Sequence, residues 1–78
     1  MNPDTIKALA EQHGYQLEFH KPENKLLRFS KDGELLVDIW YSTLTVGVAR
    51  RQPDMRFKYY KNNNDISDIE EILISPGV

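Results

Sequence analysis

Leu35–Lys61, LLVDIWYSTLTVGVARRQPDMRFKYYK, decides the fold. A two-residue loop at Ser42-Thr43 separates two runs of alternating pattern. That loop pairs Ile39 with Val46 and Val37 with Val48. The same register sets Trp40 opposite Thr45, Asp38 opposite Gly47 and Leu36 opposite Ala49. The first set is wholly apolar, so that face is buried. A slip of one residue would bring Asp38 onto the core face, so the pattern specifies the register. Ser-Thr is not the favoured Asn-Gly turn, and the pairing rests on the faces rather than on the turn.

The neighbouring loops extend the sheet. Arg51–Asp54 as a four-residue loop, with Pro53 presetting a turn, pairs Val48 with Phe57 and Val46 with Tyr59. Lys31-Asp32-Gly33, with Gly33 left-handed, pairs Phe29 with Leu35 and Leu27 with Val37. Pro22-Glu23-Asn24, with Asn24 left-handed, pairs Phe19 with Leu27 and Leu17 with Phe29. These loops predict a five-strand antiparallel meander over 15–20, 26–30, 34–41, 44–50 and 55–61. Its buried face comprises Leu17, Phe19, Leu27, Phe29, Leu35, Val37, Ile39, Val46, Val48, Phe57 and Tyr59.

Both ends read as helices. Asn2 is an N-cap, Pro3 the first helical residue and Gly14 the stop. Ile6, Leu9, Ala10 and His13 share one stripe. Asp65 caps a second helix running to about Ser75, with Asp68, Glu70 and Glu71 near the positive end of its dipole. Ile66, Ile69 and Leu73 form its stripe, and Pro76-Gly77 ends it. The stripes have one natural partner, the apolar sheet face. The expectation is an α+β fold, α-β-β-β-β-β-α, with both helices on one face and a single domain over residues 1–78.

Composition narrows the function classes. A chain of 78 residues has a modest core, worth about 3–5 kcal/mol of net stability. There is no cysteine, hence no disulfide, thiolate metal site or cysteine nucleophile. No apolar run approaches the ~18–20 residues of a membrane span, and no signal-peptide pattern is present, which points to a cytoplasmic protein. Asp4, Glu11, Glu18 and Glu23 lack metal-ligand spacing, and there is no glycine-rich phosphate loop. No cofactor is expected.

Charge is uneven along the chain. The net charge is −2, yet Arg50, Arg51, Arg56, Lys58 and Lys61 face only Asp54 within residues 50–61. Residues 62–78 are wholly acidic in their charges. The overall balance disfavours general polyanion binding. Charges on the fifth strand also suit a guarded sheet edge, the blander explanation.

The outer sheet face is the candidate working surface. From the register, Glu18–Arg28–Leu36–Ala49–Arg56 form one row and His20–Leu26–Asp38–Gly47–Lys58 the next. The third row is Trp40–Thr45–Tyr60. With strands about 4.8 Å apart, Trp40 and Tyr60 lie roughly 10 Å apart. Aromatics beside Arg and Lys on a sheet suit stacking of bases, though Glu18 and Asp38 would repel phosphates. As plain structure, Glu18–Arg28 is a cross-strand pair and Trp40 shields Gly47. Exposed Leu26, Leu36, Trp40 and Tyr60 among charges suit a protein contact.

Enzyme signatures are poor. His13 lies on a core stripe and His20 at a strand end. The nucleophile–base–oxyanion constellation is not visible. A desolvated Asp38 near His20 and Gly47 is the only catalytic or small-ligand alternative.

Asp38–Val48, DIWYSTLTVGV, resembles a strand hairpin in a family of small uncharacterised proteins, in which an aromatic-Ser/Thr-Thr-x-Thr-Val run precedes a basic, aromatic strand. Met55–Lys61, MRFKYYK, holds that second position but departs from the family's Lys-, Gly- and Thr-rich strand. The resemblance covers about a third of the chain and implies no activity.

The sequence therefore predicts a non-enzymatic interaction module. It binds a protein partner through the outer sheet face or an open strand edge, using Trp40, Tyr60, Arg56, Lys58 and Arg28. The alternative is a nucleic-acid-binding domain using the same aromatic and basic residues. No membrane contact is expected. A homodimer, if one forms, would use strand one or the outer face.

Overall fold

A computed structural model describes residues 1–52 and 54–78; the turn assigned to Pro53 lies outside the described residues. The element order is α1 (Pro3–Gln12), β1 (Gln16–Lys21), β2 (Leu26–Lys31), β3 (Leu35–Trp40), β4 (Thr45–Arg50), β5 (Lys58–Tyr60) and α2 (Ile66–Ile74). The strands form one antiparallel sheet in the order β1-β2-β3-β4-β5. The α-β5-α meander expected from the sequence is the fold.

Local chemistry sets the helix ends as expected. The Asn2 side chain accepts from the Asp4 N–H at 2.8 Å, with Pro3 following in the first turn. Gly14 leaves α1 at φ +85°, a conformation that favours glycine. Asp65 caps α2 by accepting from the N–H groups of Ser67 and Asp68.

One sheet face and both helices share the main core. Leu27, Phe29, Leu35, Val37, Ile39, Val46 and Val48 pack with Ile6 and Ala10 of α1 and with Ile69, Ile72 and Leu73 of α2. Polar contacts tie the helices to this layer and to each other. The buried Tyr15 hydroxyl donates to the Leu73 carbonyl at 2.8 Å, and burial raises its pKa. His13 Nε2 lies 2.9 Å from Glu70 Oε2, joining the end of α1 to α2.

The β3–β4 register agrees with the expectation at every position, from Leu36↔Ala49 to Trp40↔Thr45. The turn itself differs. It spans Tyr41–Leu44 with Leu44 at φ +57°, because the Tyr41 N–H donates to the Lys25 carbonyl instead of to β4.

Three other registers correct the expectation. Between β2 and β3 the shift is two residues, giving Phe29↔Val37, Leu27↔Ile39 and Arg28↔Asp38. Asp32 and Gly33 both take positive φ, and the Glu34 N–H closes the turn on the Lys31 carbonyl. The Asp-Gly pair thus supplies the two left-handed residues, and Glu34 joins the loop. A shift of two preserves the faces.

Between β1 and β2 the ladder is irregular between Leu17 and Phe19, so Phe19 pairs with Arg28 and His20 with Leu27. This bulge moves Phe19 to the outer face and His20 to the helix face. Lys25, at φ +51°, takes the left-handed position expected of Asn24. Leu17 keeps its expected pairing with Phe29 but is 39% exposed at the sheet edge.

Between β4 and β5 the pairs are Val46↔Tyr60, Gly47↔Tyr59 and Val48↔Lys58. This one-residue slip reverses the expected faces of the last strand. Tyr60 joins the core, and its hydroxyl donates to the Pro76 carbonyl at 2.9 Å. Phe57 and Tyr59 turn outward, and Tyr59 is 50% exposed.

Candidate functional site

Gly47 organises the outer face. A Cβ built there would lie 2.9 Å from Tyr59 Cε1 and 3.2 Å from Phe57 Cδ2. Glycine therefore lets both rings lie across the middle of β4. The two rings are nearly parallel, with an interplanar angle of 22° and centroids 6.1 Å apart. Shielding of Gly47 comes from Tyr59 and Phe57, correcting the role expected of Trp40.

Arg28 and Asp38 occupy the next position. Asp38 is 4% exposed and accepts two hydrogen bonds from Arg28, at 2.6 Å from Nε and 2.8 Å from Nη2. Hydrogen bonding to Asp38 raises the Arg28 pKa, against an opposing effect of burial. The guanidinium lies 5.1 Å from the Phe19 ring centroid and 5.6 Å from that of Phe57. It is therefore held between two aromatics and a carboxylate. Leu26, Leu36 and Ala49 on this face are also buried, so the expected exposure of Leu26 and Leu36 is corrected. The outer face carries a small second core.

Glu18 is bonded too, to Arg51 instead of Arg28, at 2.7 Å. Arg51 also donates to the Gly33 carbonyl at 3.0 Å. Arg50 pairs with Glu34, and Arg56 with Asp54. Asp38 and Glu18, the strand carboxylates of this face, are thus each matched by an arginine. Among the described residues, Lys21 and Lys61 have no carboxylate within ion-pair distance. Each lies near an aromatic ring instead, Lys21 5.0 Å from Phe19 and Lys61 6.0 Å from Tyr59.

Toward the end of this face near the β3–β4 turn, Trp40, Thr43, Thr45, Tyr59 and Lys61 line a shallow concavity of about 340 Å³. Trp40 and Tyr59 form its aromatic part, with centroids 6.2 Å apart and planes inclined at 49°. Thr43 and Thr45 share a hydroxyl–hydroxyl contact of 2.9 Å. The site offers apolar ring surface, hydroxyls and one ammonium group.

The five residues expected to form one patch are separated. Trp40 and Arg28 are on the outer face, but Arg28 is engaged by Asp38. Tyr60 and Lys58 fall on the helix side of β5, because its register slips by one. Arg56 precedes β5 and contacts Asp54 at 3.1 Å. Tyr59, Lys61, Phe57 and Phe19 are the outer-face residues the sequence reading missed. Gly47 carried the available signal, since a strand glycine often lies beneath an aromatic on the neighbouring strand.

The alternative trio of Asp38, His20 and Gly47 is not assembled. His20 is on the helix face, 2.9 Å from the Tyr41 hydroxyl, whereas Asp38 is bound by Arg28. A larger concavity, about 520 Å³, lies beside α2 and includes Asp68 and Asn63. Both carry structural contacts: Asp68 accepts from the Asn64 N–H, and Asn63 donates to the carbonyls of Leu44 and Tyr60. Among the described residues, no helix is long and apolar enough to cross a membrane, and no group of three or more acidic or histidine side chains is positioned for a metal. No family model, curated protein or solved structure matches the chain.

Proposed function

We propose that the chain is a small non-enzymatic interaction module that binds a protein partner through the Trp40–Tyr59 concavity. The observation carrying this reading is an aromatic pair, inclined at 49° and flanked by Lys61, on the sheet face opposite the helices. Interface hot spots are enriched in Trp and Tyr, whose large rings bury much surface with few rotors to fix.

The nucleic-acid reading retains one supporting feature, the half-exposed Tyr59 ring beside Lys61. Against it, Arg28 is held by the buried Asp38, and Arg56 precedes β5 instead of lining the concavity. A protein partner is therefore favoured.

The test is affinity capture with the wild-type chain and with Trp40→Ala, followed by calorimetry on the purified partner. Trp40→Ala should weaken binding by about 2 kcal/mol or more. A partner that perturbs only α1 and α2 amides and binds Trp40→Ala normally would contradict the proposal. Binding to single-stranded RNA that weakens steeply with salt, with no protein partner, would favour the alternative.

A further inference from the structure

From the charge pairing of the outer face, we infer that the partner presents an acidic peptide segment with an apolar or aromatic anchor. This inference rests on the proposed protein-binding role of the same concavity. The anchor lies against Trp40 and Tyr59, and an adjoining carboxylate meets Lys61.

The ligand's sign follows from the residues already matched. Asp38 is held by Arg28 and Glu18 by Arg51, while Asp54 pairs with Arg56 beyond the rim. Among the outward strand positions described, the charges with no opposite charge in ion-pair range are the ammonium groups of Lys61 and Lys21, each over an aromatic ring. A basic segment would meet these lysines, with the strand carboxylates of this face, Asp38 and Glu18, already engaged. An acidic segment gains an ion pair while leaving the internal pairs intact.

The choice of peptide over nucleic acid follows from the concavity's shape. Trp40 and Tyr59 contact one another at 49°, forming an angled wall instead of two parallel platforms. One ammonium group marks its mouth. An isolated side chain between carboxylates fits this arrangement better than a continuous run of phosphates and flat bases.

Three blocked peptides of equal length, alternating Phe with Glu, Gln or Lys, provide the test, with a short oligothymidylate as a fourth probe. Each is titrated into the ¹⁵N-labelled chain while the Trp40 indole and the Thr45, Tyr59 and Lys61 amides are followed. The Glu peptide should shift these signals saturably and bind most tightly, with the Lys peptide weakest. Lys61→Gln should weaken the Glu peptide by about two- to fivefold more than it weakens the Gln peptide, as expected of one exposed ion pair. Tyr59→Ala should weaken both by more than tenfold, about the loss of one aromatic anchor. Lys61 is exposed, so its replacement leaves the fold intact.

Equal binding of all three peptides at Trp40 would overturn the acidic preference but preserve the protein-binding role. No saturable shift at Trp40 with any peptide would overturn both. Tighter binding of oligothymidylate at the same residues would replace both with the nucleic-acid reading.

Discussion

Asp38 and Arg28 form a charged pair beside the buried Leu36 and Ala49 of the outer face, and their contribution differs from that of a surface ion pair. Asp38→Ala leaves Arg28 between Phe19 and Phe57 with its carboxylate removed. The expected loss is about 3 kcal/mol, at the low end for a broken buried pair because Arg28 retains some solvent access. The double change Arg28→Met/Asp38→Leu should recover most of it, since apolar replacement of both partners removes the desolvation penalty. Urea unfolding of the three proteins checks this. Gly47→Ala adds a methyl within 2.9 Å of Tyr59 Cε1. Overpacking costs about 1–3 kcal/mol, while replacing a strand glycine offsets about 0.5–1 kcal/mol. The expected net loss is about 1 kcal/mol, with Tyr59 displaced and Trp40 emission shifted to the red. Residue-level pairing was legible where faces differed sharply, as at Asp38↔Gly47. It was illegible at Tyr59 and Tyr60, where either adjacent tyrosine fits a half-buried strand position and only neighbouring packing selects between them.

At the scale of elements, α2 depends on the ionised Asp65 cap. Its hydrogen bonds, chiefly from Ser67 and then Asp68, lower the Asp65 pKa. The unfolded chain therefore takes up this proton at higher pH than the folded one. The cap's contribution is fully present above the ordinary aspartate range and is lost as pH falls through the lowered folded value. Acid titration should shift the Ser67 and Asp68 amides together with the Asp65 carboxyl. Asp65→Asn should retain helicity and remove that step, because Asn caps comparably without ionising. Element existence and order were legible from caps, stripes and alternation. Loop details were not. The Asp32-Gly33 turn moved one register by two, and the β1 bulge at Glu18 left no mark in the Leu17/Phe19 alternation. That bulge also interrupts the β1 edge, and β5 is only three residues long with lysines at or beside its ends. Both edges are therefore poor templates for another strand, and a homodimer, if one forms, would use the outer face instead of strand one. Sedimentation of wild type and Tyr59→Glu should show any dimer lost in the variant.

In the whole molecule, the sheet separates two aromatic environments. Tyr15 and Tyr60 lie on the helix side and donate to carbonyls, whereas Trp40, Phe57 and Tyr59 cover the opposite side. The helices support the sheet from one side and leave the Trp40–Tyr59 concavity accessible from the other. The outer face itself was legible at this scale, because the polar pattern set it apart from the helix-packed face. Its membership depended on the slip in β5, which replaced Tyr60 and Lys58 with Tyr59 and Lys61. Aromatic nuclear Overhauser spectroscopy tests that separation most directly. Tyr59 ring protons should contact Gly47 Hα and the Trp40 indole, while Tyr60 contacts Pro76. Tyr59 contacts to Ile69 and Leu73, with Tyr60 instead beside Trp40, would contradict the β5 register and dissolve the proposed binding surface.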